Sequence, residues 1–122
     1  MKRGEVWTAA GEGDYLAKPR PAVIVQSDLA WTTESITVCP ITTELLGVKH
    51  LRITLLPDPL NGLRTESQVM IDKISTVRRT RLRRRVGTLS DADISRLDRA
   101  MLVHLGLAGR LRSASRKGAD HR

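Results

Sequence analysis

The residues best suited to chemistry in this chain are one arginine and a small group of hydroxyls. Arg20 stands between Pro19 and Pro21, immediately before the apolar run Ala22-Val-Ile-Val25. Proline fixes its own φ at about −65° and drives the residue before it out of the helical region, so Lys18 and Arg20, each preceding a proline, are both held extended. The run that follows reads as a strand with apolar side chains on both faces, which places Arg20 at the rim of the sheet that strand enters. A guanidinium fixed there suits an anionic oxygen pair, because it stays charged and its planar fork matches two oxygens. The plainer alternative is a surface arginine at a strand start.

Thr42 and Thr43 close the next apolar stretch, Val38-Cys-Pro-Ile-Thr-Thr43. Their hydroxyls reach the rim of Arg20 if the two strands are antiparallel neighbours. Arg78-Arg-Thr-Arg-Leu-Arg-Arg-Arg85 holds six arginines in eight residues, a run that either tracks the phosphates of a polyanion or forms a solvated basic turn. Lys18, Thr43, Ser67, Lys73 and Arg78 are the candidate binding residues around Arg20; Ser67 and Lys73 fall in one strand-forming segment and can line a groove.

Other chemistries find no support. His50, His104 and His121 are scattered, and no cysteine or carboxylate cluster shares a ligand-like spacing with them, so no metal is expected. No Gly-rich phosphate loop precedes a helix, and no cofactor is expected. Cys39 is the one cysteine, which rules out an intramolecular disulfide and fits a reducing cytoplasm. No segment reaches the roughly 18 consecutive apolar residues of a membrane span, and the first residues turn polar too soon for a signal peptide.

The elements that must hold Arg20 and the threonines are mostly strands. Residues 5–9, 21–26, 36–42 and 50–56 read as four strands, with Pro40 near the end of the third or at a bulge. Pro57-Asp-Pro-Leu-Asn-Gly62 is a turn cluster. Residues 67–77 form a fifth strand or a closely paired couple, and residues 85–87 a short last one. Ser90 and Asp93 open a helix whose apolar residues Ile94, Leu97, Met101, Leu102 and Leu105 recur at helical spacing up to Gly106 and Gly109. Short strands followed by one helix imply a mainly β fold, a small, partly closed barrel with an appended C-terminal helix.

At 122 residues the chain suffices for one domain. Phenylalanine is absent and the aromatics are Trp7, Tyr15 and Trp31, so the core is built from Val, Ile, Leu and Ala. The formal net charge is +8, the footprint of a protein that meets polyanions or an acidic partner. Residues 110–122 carry five basic and one acidic residue and no apolar period, and are expected to be a disordered basic tail. The folded domain, residues 1–109, is basic without them.

Three blocks of the sequence, the first of them in two parts, resemble in order and with consistent gaps the MazF/PemK (Kid) toxins, endoribonucleases of bacterial toxin–antitoxin pairs. Arg3-Gly-Glu-Val-Trp7 resembles the first strand of that family, and Pro19-Arg-Pro-Ala-Val-Ile-Val25 its Arg-Pro signature. Val38-Cys-Pro-Ile-Thr-Thr43 is similar to the strand that ends in the catalytic threonine, which falls on Thr42. Ser67-Gln-Val-Met-Ile-Asp-Lys-Ile-Ser-Thr76, followed by Arg81-Leu82, resembles the third block. The resemblance spans residues 2–107. It implies an SH3-like barrel, a homodimer, a single-stranded RNA substrate and an acidic antitoxin whose flexible segment occupies the RNA site. The sequence departs from the family at Gly13-Asp-Tyr-Leu-Ala-Lys-Pro19 and at Lys73, where glutamine is usual, and both departures bear on which RNA sequence is cut.

RNA suits such a residue set. Its 2′-OH attacks the adjacent phosphorus in line, leaving a 2′,3′-cyclic phosphate and a 5′-OH, so a protein need only align the groups and neutralise the pentacoordinate dianion. Arg20 is assigned the phosphate clamp and Thr42 a hydrogen bond to a non-bridging oxygen. Two rivals stand beside this reading: a CcdB-like toxin that binds gyrase through the end of its last helix, and a plain basic nucleic-acid-binding barrel.

Overall fold

The structure is a computed structural model that describes residues 1–11, 18–30, 34–47 and 51–109. Strands β1 (Glu5–Ala9), β2 (Arg20–Ile24), β3 (Ser35–Thr42), β4 (Arg52–Leu55), β5 (Ser67–Met70), β6 (Ser75–Arg78) and β7 (Leu82–Thr88) precede helix α1 (Asp91–His104). All strand pairs are antiparallel, in the order β4-β5-β3-β2-β1-β7, with β6 also on β3.

β3 is the centre of this arrangement. One edge pairs with β2. The other is shared, residues 35–38 pairing with β6 and residues 41–42 with β5. Pro40, which has no N–H to donate, falls in the gap between these two ladders, so a proline inside an eight-residue strand costs no hydrogen bond on that edge. The segment 67–77 is two strands rather than one, but they are not paired with each other: each pairs with β3, and a 3-10 turn at Ile71–Lys73 carries the chain from one ladder to the other.

The arginine run is not one surface. Arg78 ends β6, Arg79–Arg81 form a 3-10 turn, and Arg83 to Arg85 lie within β7, which is longer than the sequence pattern predicts. That turn draws the two sheet edges together: the Arg79 N–H donates to the Glu34 carbonyl at 2.9 Å and the Ala10 N–H to the Arg81 carbonyl at 3.2 Å. Among the described residues no ladder joins β6 to β7, and the barrel stays partly open.

Because side chains alternate along a strand, the sheet buries apolar residues on both faces. Val6, Val23, Cys39, Ile41, Ile53, Leu55 and Val69 lie on one face, packed against Leu97 and Ala100 of α1. Ala9, Ala22, Ile24, Ile36 and Val38 lie on the other, where the curl of the sheet brings Val77 and Leu82 onto them. Burial of this aliphatic surface is the main stabilising term, at roughly 25 cal/mol per Å².

Helix α1 starts where the capping pattern predicts, with the Ser90 hydroxyl accepting from the Asp93 N–H at 3.2 Å. It ends at His104, and Leu105 is exposed rather than part of the packed stripe. Arg3 ties the helix to the N-terminus, with an ion pair to Asp98 at 2.7 Å and a hydrogen bond to the Val25 carbonyl at 2.9 Å. The tail expected at 110–122 lies outside the described residues.

Candidate functional site

Arg20 is the first residue of β2 and Thr42 the last of β3. The strands are antiparallel, Ala22 pairs with Pro40, and carrying that register two residues further sets Arg20 opposite Thr42. Residues directly opposite in an antiparallel pair project to the same face with Cβ atoms about 4.5–5.5 Å apart. The condition on which the threonine could reach the arginine's rim is therefore met, and it is Thr42 that shares the face.

Arg20 is half-buried at the end of the Ala9–Ala22 layer, opposite Ala9 itself. Its Nε is buried and has no hydrogen-bond partner among the described residues. A donor in that state carries a desolvation penalty of about 1–3 kcal/mol, which an anionic oxygen removes. The Thr42 Oγ1 accepts the Glu44 N–H at 3.1 Å, so its own hydrogen is left to donate outward.

A residue that the sequence pattern does not single out fixes the chain beyond Thr42. Gln68 pairs with Thr42 from β5 and is buried. Its Oε1 accepts the Leu46 N–H at 2.9 Å, while its Nε2 donates to the Leu46 carbonyl at 2.8 Å and the Thr54 Oγ1 at 3.3 Å. The amide thus stands in for a strand and pins the loop that leaves Thr42. The signal that could have found it is a glutamine inside a short strand whose four residues are all buried.

The remaining candidate residues separate. Lys18 is exposed, two residues ahead of Arg20. Thr43 and Ser67 lie on the opposite face from Arg20 and Thr42, where both line a cleft with Thr8, Arg64 and Arg84. Ser67 is itself buried, its hydroxyl donating to the Thr65 carbonyl at 2.9 Å. Lys73 is not on a strand; it sits in the 3-10 turn, 3.6 Å from Asp72, which also pairs with Arg52 at 3.3 Å. Arg78 is exposed and lines a separate hollow with Gly11, Thr76 and Arg81.

Cys39 is excluded as a nucleophile. It is fully buried, and burial pushes its thiol up to about 12, with Asp72 adding to the rise and Arg3 opposing it, so almost no thiolate forms at neutral pH. Among the described residues no three His, Cys, Asp or Glu side chains converge on a point that would hold a metal ion, and no helix is long and apolar enough to cross a membrane.

Residues 2–105 match the family model described as PemK-like, MazF-like toxin of type II toxin-antitoxin system. The probable endoribonuclease MazF of Mycolicibacterium smegmatis is 50% identical over 109 residues, 89% of this chain and 100% of that protein. Endoribonuclease MazF9 of Mycobacterium tuberculosis is 32% identical, with 88% of this chain and 98% of that protein covered. The solved Mycobacterium tuberculosis toxin MazF-mt6 superposes with a TM-score of 0.73 at 27% identity, over 84% of this chain and 97% of that one. A mycobacterial endoribonuclease solved in complex with its cognate antitoxin shares the fold at a TM-score of 0.72 and 23% identity, over 88% and 96% of the two chains. The chain belongs to the PemK-like, MazF-like toxins of type II toxin–antitoxin systems.

Proposed function

We propose that this protein is an endoribonuclease toxin that cuts single-stranded RNA at specific sequences without a metal or other cofactor, with Arg20 and Thr42 as its catalytic pair. The observation that carries the assignment is the buried Nε of Arg20, which has no hydrogen-bond partner among the described residues and lies at a strand end that the register, carried two residues on, sets opposite Thr42. Relatives named as MazF endoribonucleases supply the reaction class.

The 2′-hydroxyl of the substrate gives its proton to water as its oxygen attacks phosphorus, the bond from phosphorus to the 5′-oxygen breaks, and that oxygen takes up a proton from water as it leaves. Charge accumulates on the two non-bridging oxygens. The Arg20 guanidinium binds them and is permanently charged, so it stabilises the transition state without itself ionising. The Thr42 hydroxyl, held through the Glu44 N–H, donates to one of the same oxygens and fixes the phosphate for in-line attack. Lys18, Thr43, Ser67, Lys73 and Arg78 are proposed to contact the rest of the RNA. Lys73 lies in the 3-10 turn and Arg78 in the hollow with Gly11 and Arg81, and there they would contact nucleotides on either side of the cut.

An acidic antitoxin is the proposed protein partner, on the strength of a family defined by toxin–antitoxin pairs and a net charge of +8. A homodimer in the cytoplasm is the proposed working form; the half-exposed Leu46 and Val103, which line one hollow between α1 and β4, are apolar surface that a second copy would cover. The rival gyrase-binding reading is not favoured, because the relatives are named as endoribonucleases. Incubating a long transcript with the purified protein in excess chelator tests the proposal. Discrete fragments ending in 2′,3′-cyclic phosphate are expected, whereas intact RNA together with inhibition of gyrase supercoiling would reverse the choice.

A further inference from the structure

We propose that the cleft on the second face of the sheet is a phosphate-binding track for RNA that flanks the cut, with Arg64 and Arg84 as its cationic groups; the proposal rests on the ribonuclease reading above. Position comes first. Pro21 and Thr43 line this cleft, and they are the chain neighbours of Arg20 and Thr42. Because successive strand residues alternate in face, the catalytic pair opens on one side of the sheet rim and the cleft on the other. A polynucleotide held at Arg20 and Thr42 therefore meets the cleft as soon as it passes over the rim.

The lining fits phosphates. Arg84 projects from β7 beside Thr8, with which it pairs, and Arg64 comes from the loop that leads into β5. Both arginines are exposed, and neither has a carboxylate within ion-pair distance among the described residues. Arg85, which also lines the cleft, differs: its Nε lies 3.3 Å from Glu5. Hydroxyls of Thr8, Thr43 and Thr65 add neutral donors.

The opposite wall is built to hold its shape. Asn61 is fully buried, accepts from the backbone N–H of Asp58 and Leu63 at 3.2 and 2.9 Å, and donates to the Leu56 carbonyl at 2.9 Å. The loop is then docked on β7 by the Thr88 N–H, which donates to the Leu60 carbonyl at 2.9 Å. Among the described residues no aromatic side chain lines the cleft, so it offers no stacking platform for bases. Charge and hydroxyls without stacking bind the backbone of RNA and are indifferent to its sequence.

The test uses the full chain and two RNAs around one mapped cut, a minimal oligonucleotide and one extended on both sides, each made also with 2′-deoxyribose at the cut so that binding is read without cleavage. For the wild type, the long RNA is expected to bind more tightly and to give a higher kcat/KM. In R64Q/R84Q the ratio of long to short falls toward one, and the slope of log affinity against log salt becomes shallower by about 0.7 for each phosphate that is no longer neutralised. R64K/R84K, which keeps the charges, retains most of both effects and serves as the folding control. A length ratio and salt slope unchanged in R64Q/R84Q would overturn the proposal. So would unchanged RNA binding with lost affinity for poly-L-glutamate, which marks the cleft as a site for an acidic protein. A wild type that cuts neither RNA contradicts the ribonuclease reading itself, a result separate from a wild type that cuts both equally well, which overturns the track alone.

Discussion

Arg20 begins one strand and Thr42 ends its antiparallel neighbour, so that the Ala22–Pro40 register carried two residues on sets them opposite; one has a buried donor that no described neighbour satisfies and the other a hydroxyl already oriented by a backbone N–H. The two groups are complementary as ligands for one phosphate. A fixed cation neutralises charge, and a single directed hydrogen bond sets the orientation.

Thr42→Val keeps the shape of the side chain and removes its oxygen. The loss of one donor aimed at the developing charge should lower kcat by about a hundredfold with little change in RNA affinity. Thr42→Ser retains the oxygen and should recover most of that loss. Single-turnover cleavage of a defined oligonucleotide distinguishes the two, and equal rates for Val and Ser variants would remove the hydroxyl from the mechanism.

Gln68→Ala should release the loop that follows Thr42. It leaves the Leu46 N–H and carbonyl without the partners they now have, and because Leu46 is exposed to water the cost is the net value of the hydrogen bonds, about 0.5–1.5 kcal/mol each. Urea unfolding should show the loss of stability. Cleavage should fall as well, because the Glu44 N–H that orients Thr42 lies in the same loop.

Gly87→Ala tests the packing of the loop on β7. A Cβ at this position would run into the Leu60 carbonyl oxygen and the Asn61 carbonyl group, backbone atoms that cannot swing aside. We expect a loss of about 1–3 kcal/mol, the usual cost of overpacking, seen as a lower urea midpoint.

Glu5 should contribute to stability in a pH-dependent way. Burial alone would raise its carboxyl, but the Lys2 N–H at 2.9 Å, the Trp7 indole N–H at 3.1 Å, the N-terminal ammonium and Arg85 together hold it below its ordinary value of 4.5. A carboxyl lowered in the folded state stabilises fully above its unfolded value and less as pH falls through the folded one. The stability gap between wild type and Glu5→Gln should therefore be constant near neutrality and narrow below about pH 4.5. A gap that widens on acidification would contradict the assigned direction.

The rim that carries Arg20 and Thr42 is legible in the sequence because its determinants are local. Two prolines fix the backbone on either side of Arg20, an apolar run continues it as a strand, and Thr42 closes the next strand, so only the antiparallel pairing is left for the fold to supply. The helix is equally plain from Ser90 and the spacing of Ile94, Leu97 and Met101. What stays hidden depends on tertiary register. The pairing of β1 with β7 skips Arg83 and Val86, and such bulges re-aim the side chains of a strand in a way that alternation does not reveal. One arginine run consequently serves a turn, a hollow and a cleft. Arg64 carries no local signal at all, because its place is set by the buried Asn61 and the packing of that loop on Gly87. Ser67 and Lys73 sit close in sequence, which suggests a shared groove, yet the 3-10 turn between β5 and β6 separates them.

The most direct measurement of the central claim is single-turnover RNA cleavage by Arg20→Ala in excess chelator, with binding of a 2′-deoxy substrate measured beside it. The phosphate-clamp role predicts a rate loss of about a hundred- to a thousandfold, with binding still measurable and the same cyclic-phosphate product at the residual rate. Cleavage by Arg20→Ala at the wild-type rate would contradict it.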